Sequence, residues 1–181
     1  EFDEPFSKLL THGMVLKGGV AMSKSRGNVV PPNDILQQYG ADVLRLYILS
    51  VALPESEIEW SDEGVPSAFR FISRVWNLVN TTVKKIERSE SINLSAEISF
   101  NELYIQALTQ RIIEEVTEEF EQLRFSLAIT TLSNLIDALR EYVDFSSDVF
   151  STEQVHIIKD SIRSLVLMLT PFIPDTCEEI W

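Results

Sequence analysis

Cysteine is nearly absent from this chain of 181 residues, and the single one, Cys177, excludes an internal disulfide framework and any zinc site built from thiolates. Cys177 itself reads as a small buried hydrophobe. Histidine is almost as scarce. His12, beside Gly13, reads as a surface turn residue, and His156 falls within a helical pattern, so neither stands in a catalytic context. No apolar run reaches the roughly 20 residues that a membrane span needs. No basic stretch followed by an apolar one opens the chain as a secretory signal would, and a cytoplasmic location is the default. Positive charge is also in deficit: 15 Lys and Arg stand against 28 Asp and Glu, for a net charge of −13. Such a balance argues against a dedicated nucleic-acid-binding module. The deficit is uneven, because residues 1–50 carry five of each sign and residues 51–181 carry ten basic against twenty-three acidic. Glu114, Glu115, Glu118, Glu119 and Glu121 concentrate it on one stretch. Pairs such as Glu114 and Glu118 lie one helical turn apart and repel by a few tenths of a kcal/mol, which marks a solvated face that stays away from RNA.

A hydrophobic content of 45% suits a globular core. Residues 13–20 hold a short β-prone run before Gly18-Gly19 and predict a small hairpin. Pro31-Pro32-Asn33-Asp34 starts a short helix that Gly40 ends. Asp42 stands near the start of the next helix, with Leu44, Ile48 and Val51 or Ala52 on its apolar face and Pro54 as its stop. A helix cap and a local ion pair account for Asp42 and Arg45. From Ser61 onward the helical period dominates. Phe69, Ile72, Trp76, Val79, Val83 and Ile86 predict one long amphipathic helix whose core side includes Trp76. Ser99 and Glu102 fit a capping box, with Ile98 and Leu103 as its hydrophobic staple. The helix they start carries Leu108, Ile112, Val116, Phe120 and Leu123. A third helix carries Phe125, Ala128, Leu132, Leu135 or Ile136, Leu139 and Val143. Ser151 with Gln154 caps a fourth, through Val155, Ile158, Ile162, Leu165 and Leu169, which Pro171 and Pro174 terminate. Trp60 and Trp181 are most simply packing residues. Four apolar stripes on consecutive helices predict a mainly α protein, an antiparallel bundle preceded by a small α/β segment. There is no internal repeat or low-complexity tract.

The run Ala21-Met22-Ser23-Lys24-Ser25-Arg26-Gly27-Asn28 stands outside these patterns. It places two cations, two hydroxyls and a glycine in eight residues with no hydrophobic period, so it predicts an exposed, mobile loop. Its ammonium, guanidinium, hydroxyls and backbone N–H groups form a donor set that suits a phosphate chain.

The order of those residues resembles the second signature loop of the class I aminoacyl-tRNA synthetases. Its flanks narrow the likeness. Glu4-Pro5-Phe6 and Leu9-Leu10-Thr11-His12-Gly13-Met14-Val15 resemble the approach to this loop in the leucyl members, and Tyr39-Gly40-Ala41-Asp42-Val43-Leu44-Arg45 resembles what class Ia members carry next. Glu59-Trp60-Ser61-Asp62-Glu63-Gly64-Val65, with Arg70-Phe71 and Arg74-Val75-Trp76, is similar to the leucyl branch in particular. Thr170-Pro171-Phe172-Ile173-Pro174 and Glu178-Glu179-Ile180-Trp181 resemble the end of the family's helical domain.

The resemblance implies the end of a catalytic domain over residues 1–55 and a helical bundle of the anticodon-binding type over 56–181. It implies that Lys24 is catalytic and meets ATP phosphates, while Met22, Ser23 and Ser25 shape the loop and approach the nucleotide. ATP with Mg2+, leucine and tRNA(Leu) are the implied cofactors and partners of the whole enzyme, which would form leucyl-adenylate and esterify the tRNA; no membrane is implied. Ala21 departs from the family, which has a lysine there, so one cation for holding pyrophosphate is missing. The family's other, histidine-containing signature does not occur in these residues. With no initiator methionine and a last residue inside a helix start, the chain reads as a piece of a longer protein, inactive by itself. Arg70 and Arg74, four residues apart on one helix face, read as contacts to tRNA phosphates. The rivals are another class Ia synthetase (valyl, isoleucyl, methionyl or cysteinyl) and a non-enzymatic helical module that binds neither ATP nor tRNA.

Overall fold

The computed structural model describes residues 5–6, 9–90, 92, 94–95 and 97–181. Glu4, the first residue of the opening block, lies outside them. Two short strands, β1 (Val15–Lys17) and β2 (Val20–Ala21), form the expected hairpin. Its turn is Gly18-Gly19, with φ of 65° and 71°. Two successive positive φ values are what a tight two-residue turn needs, and glycine supplies them without a Cβ clash. A 3-10 turn at Lys24–Arg26 follows, then α1 (Pro32–Tyr39), α2 (Ala41–Val51) and β3 (Ile58–Glu59). The rest is helical: α3 (Gly64–Glu90), α4 (Phe100–Glu121), α5 (Phe125–Phe145), α6 (Thr152–Leu169) and α7 (Pro174–Ile180). The sheet order is β2-β1-β3, with β1 antiparallel to β2 and parallel to β3. The architecture is therefore the expected mainly α bundle with a small α/β segment ahead of it.

The core of the bundle is apolar and contiguous. Ile105, Leu108, Ile112 and Val116 of α4 meet Ala128, Leu132, Leu135, Ile136, Leu139 and Val143 of α5, and Ile158, Leu165 and Leu169 of α6 close over them. Both Leu135 and Ile136 are buried, where the period allowed either. The two capping boxes form: Ser99 with Glu102 at α4, and Ser151 with Gln154 at α6. Ile98 and Leu103 stay about half exposed, so they bury little as a staple. Cys177 is buried, and that burial pushes its thiol up to about 11 against the opposing hydrogen bond from Thr170.

Four expectations need correction. The core face of α3 is Val65, Ala68, Phe71, Val75, Leu78, Val79, Thr82 and Ile86, whereas Phe69, Trp76 and Val83 face outward. Two apolar stripes run along α3, and packing by α2, α5 and α6 selects the one that the period alone did not favour. Trp76 therefore lines an open groove between α3 and α7 instead of the core. Asp42 is 6% exposed and does not cap its own helix. Its carboxylate accepts from the N–H of Asp175 (3.3 Å), the N–H of Thr176 (2.7 Å) and Thr176 Oγ1 (2.6 Å), at the start of α7. Arg45 makes no local ion pair either; its Nη2 donates to the carbonyl of Pro171 at 3.0 Å. Both residues fasten α2 to the far end of the chain. Trp60 packs as expected, edge-on to Tyr47 at 4.9 Å, whereas Trp181 is exposed beneath the Arg163 guanidinium.

Candidate functional site

The signature loop leaves β2 and folds back on itself over six residues. Met22 N–H donates to the Val15 carbonyl (3.1 Å), which keeps the loop's first residue on the hairpin. Arg26 N–H donates to Ser23 O (3.1 Å) and Gly27 N–H to Lys24 O (3.2 Å), so the centre is a single tight turn. Gly27 ends it with φ 67°, a left-handed conformation that suits glycine. Asn28 closes the mouth. Its Oδ1 accepts from Ser23 N–H at 2.9 Å, and its Nδ2 donates to the carbonyls of Val20 and Ala21 at 3.4 Å each. Asn28 lay in the motif, yet no role could be assigned to it before its partners across the loop were visible.

Met22 and Ser23 are half-buried, while Lys24, Ser25 and Arg26 are exposed. The hydroxyls of Ser23 and Ser25 lie 2.8 Å apart. Neither Lys24 nor Arg26 forms an ion pair among the described residues. The structure thus brings Met22, Ser23, Lys24 and Ser25 together on one short loop, with the Lys24 and Arg26 cations exposed at its crest. Among the described residues, no group of three His, Cys, Asp or Glu side chains gathers to hold a metal ion. His12 bonds its neighbour Gly13, and His156 stands exposed beside Asp160 at 3.5 Å.

The two arginines of α3 have different surroundings. Arg70 is exposed, and among the described residues its Nη2 donates to Ser67 Oγ of its own helix, at 2.6 Å. Arg74 bridges to α5, with Nη1 on Asp137 Oδ1 (2.7 Å), Nη2 on Ser133 Oγ (3.0 Å) and its Cζ 5.6 Å from the Phe71 ring centre. The two do not form one cationic patch: Arg70 remains free toward solvent, whereas most of the Arg74 fork holds two helices together. On α4 the acidic stretch is largely exposed, apart from Glu119, which Arg124 covers.

Two family models match the chain. Residues 1–61 match "tRNA synthetases class I (I, L, M and V)", and residues 102–181 match "Anticodon-binding domain of tRNA ligase". A leucine–tRNA ligase of Citrifermentans bemidjiense is 38% identical over 180 residues, covering 99% of this chain and 21% of the relative. One from Thermotoga petrophila is 38% identical over 181 residues, covering 99% and 22%. The chain therefore spans about a fifth of the length of the curated relatives it matches. Among solved structures, a ternary complex of an Agrobacterium radiobacter LeuRS with tRNA and LeuAMS superposes with a TM-score of 0.82 at 30% identity, over 99% of this chain and 22% of that one. A Mycobacterium tuberculosis methionyl-tRNA synthetase, solved with methionyl-adenylate, shares the fold with a TM-score of 0.75 at 19% identity, over 93% and 36%.

Proposed function

We propose that the chain belongs to the leucine–tRNA ligases, the leucyl branch of the class I synthetases, and supplies their phosphate-binding loop together with a helical tRNA-binding domain. In this reading the whole protein joins leucine to ATP, releases pyrophosphate and transfers the leucyl group to tRNA(Leu) in the cytoplasm. Residues 1–55 serve the nucleotide and 56–181 the RNA. The observation that supports the reading is the exposed Lys24 on the turn at Lys24–Arg26, without an ion pair among the described residues, in a chain 99% of which aligns with about a fifth of a leucine–tRNA ligase.

Adenylate formation builds negative charge on the α-phosphate and on departing pyrophosphate. A cation that arrives with loop closure stabilises that charge more than it stabilises the ground state, and only such a difference raises the rate. In this reading Lys24 is that cation. Ser23, Ser25 and Met22 shape the turn and offer hydroxyl and amide donors beside it, and Arg26 offers a second charge. Ala21 supplies none, so pyrophosphate is held with one cation fewer than the family usual. Mg2+ would travel with the nucleotide, because this segment offers donors in place of anionic oxygens; the role of Lys24 does not run through it.

For tRNA, Arg70 is the side chain free to meet a phosphate, and Arg74 contributes what its fork has left beyond Asp137 and Ser133. Leucine codons demand several anticodons, which favours contact with the body of the tRNA. The full-length protein, assayed for ATP–pyrophosphate exchange with a panel of amino acids, tests the reading. Exchange should depend on leucine. Dependence on valine, isoleucine or methionine instead would favour a sister synthetase, and no exchange with any of them would overturn the enzymatic reading.

A further inference from the structure

The hairpin that presents the signature loop is gripped at its closed end from the other side of the sequence. In the Gly18-Gly19 turn both residues have positive φ, which turns their two N–H groups to one side and makes a small anion-accepting concavity. The carboxylate of Glu59 fills it. Gly18 N–H donates to Oε1 at 2.6 Å, and Gly19 N–H donates to Oε2 at 3.2 Å and Oε1 at 3.3 Å. Glu59 is the last residue of β3, which runs parallel to β1 in the register Leu16↔Glu59. Lys17 and Asp62, 3.7 Å apart, add a second tie across the same edge. The strand is in turn fixed to the helices: Trp60 N–H donates to Leu16 O at 2.7 Å, the Trp60 ring stands edge-on to Tyr47, and Ser61 N–H donates to Tyr47 Oη at 2.8 Å. Three residues beyond Ser61, α3 begins.

A carboxylate is not needed to complete so short a strand pair, because the β1–β3 ladder forms through backbone atoms. What the carboxylate adds is a grip on the turn whose second strand runs directly into Met22, Ser23 and Lys24. We propose that Glu59 is a positioning residue for the signature loop: by holding the Gly18-Gly19 turn it fixes where Lys24 stands relative to α2 and α3. This deepens the ligase reading and rests on it. Glu59 does not touch the nucleotide; it acts through the hairpin. Misplacing a charged group by about an ångström can cost up to roughly 100-fold in rate, so loosening the grip is expected to cost about 10-fold.

The test uses the full-length protein carrying Glu59→Ala and, separately, Glu59→Gln, whose amide oxygen still accepts from the turn. In leucine-dependent pyrophosphate exchange, E59A should lower kcat/KM for ATP about 10-fold, with the KM for leucine unchanged within twofold, and E59Q should recover most of the loss. Amide hydrogen exchange, measured without substrates, should rise in E59A at residues 18–27 and stay unchanged along α4–α6. The proposal is overturned if kcat/KM for ATP holds within twofold, if ATP and leucine parameters fall together, or if the exchange of residues 18–27 does not change. Should the wild-type protein show no leucine-dependent exchange, the ligase reading fails on its own, and the amide measurement still decides whether Glu59 holds the loop.

Discussion

Gln154 donates through Nε2 to Oε1 of Glu102 at 2.8 Å, so the N-terminal cap of α6 is bonded to the N-terminal cap of α4 fifty-two residues earlier. Tyr142 of α5 donates to the same oxygen at 2.8 Å. Ser99 completes the set, its N–H reaching Oε2 at 2.8 Å and its hydroxyl bonding the same atom. Three helices therefore meet at one carboxylate that is 4% exposed. Burial pulls Glu102 toward its neutral form, but the hydrogen bonds from Ser99, Gln154 and Tyr142 outweigh it and hold the carboxyl at about 2, below its ordinary 4.5. Tyr142 is raised, first by its own burial and then by the carboxylate beside it.

That depression fixes the sign of a pH dependence. A carboxyl with its folded value below its unfolded one binds fewer protons when folded, so its contribution is complete above the unfolded value and fades as pH falls through 4.5 toward 2. The shift corresponds to about 3 kcal/mol at neutral pH. Urea unfolding of the wild-type chain should lose this amount between pH 6 and pH 2 beyond what Glu102→Gln loses. The variant should begin less stable at pH 7 and show the flatter profile.

Asp42 caps a helix that begins 132 positions after it. Asp42→Ala leaves the N–H groups of Asp175 and Thr176 and the Thr176 hydroxyl without their acceptor in a covered site, at a cost of about 2 kcal/mol. Asp42→Asn keeps one acceptor oxygen and should cost about half as much. The unfolding midpoints of the two variants check the order. Equal midpoints for wild type and Asp42→Ala would remove α7 from the cooperative unit.

These two sites show which parts of the fold were legible in the sequence. The Gly18-Gly19 turn, the stop at Gly40 and the boxes at Ser99/Glu102 and Ser151/Gln154 depend on neighbours within a few residues, so the sequence displays them directly. Asp42 stands where a helix cap belongs, and nothing near it in the chain points to Thr176. The stripe of α3 failed for a related reason. Phe69, Trp76 and Val83 repeat at a helical spacing as well as Phe71, Val75, Leu78 and Thr82 do, and only the packed neighbours choose between them. Among the site residues, the loop motif was legible because its chemistry is local. The Arg74–Asp137 pair and the grip of Glu59 on the hairpin were not, since each joins positions 40 or more residues apart.

Gly64 opens α3 against the ring of Tyr47. A Cβ there would lie 2.1 Å from Tyr47 Cε2, so the ring, which is 2% exposed and holds Ser61, would have to move. Gly64→Ala should cost about 1–3 kcal/mol by overpacking, although alanine is the better helix former. Thermal unfolding measures it, and a stabilised variant would contradict the contact.

Arg70 and Arg74 should separate by experiment. In the full-length protein Arg70→Glu is expected to weaken tRNA charging while leaving pyrophosphate exchange nearly intact, and to reduce the salt slope of tRNA binding by about one unit. Arg74→Ala removes a half-exposed pair and should cost less than about 1 kcal/mol in stability, with Asp137→Asn costing the same. Reversing Glu115 and Glu119 to lysine should not impair charging. Normal charging by the Arg70 variant would remove that residue from the RNA surface.

Lys24→Ala in the full-length protein tests the assignment of this chain most directly. Leucine-dependent pyrophosphate exchange should fall roughly 10- to 1000-fold in kcat, the range for losing one charge contact made in the transition state, while the KM for leucine changes little. Ala21→Lys should leave the rate unchanged or raise it. An exchange rate within twofold of wild type after Lys24→Ala would contradict the account and leave Lys24 a solvated residue on an exposed turn.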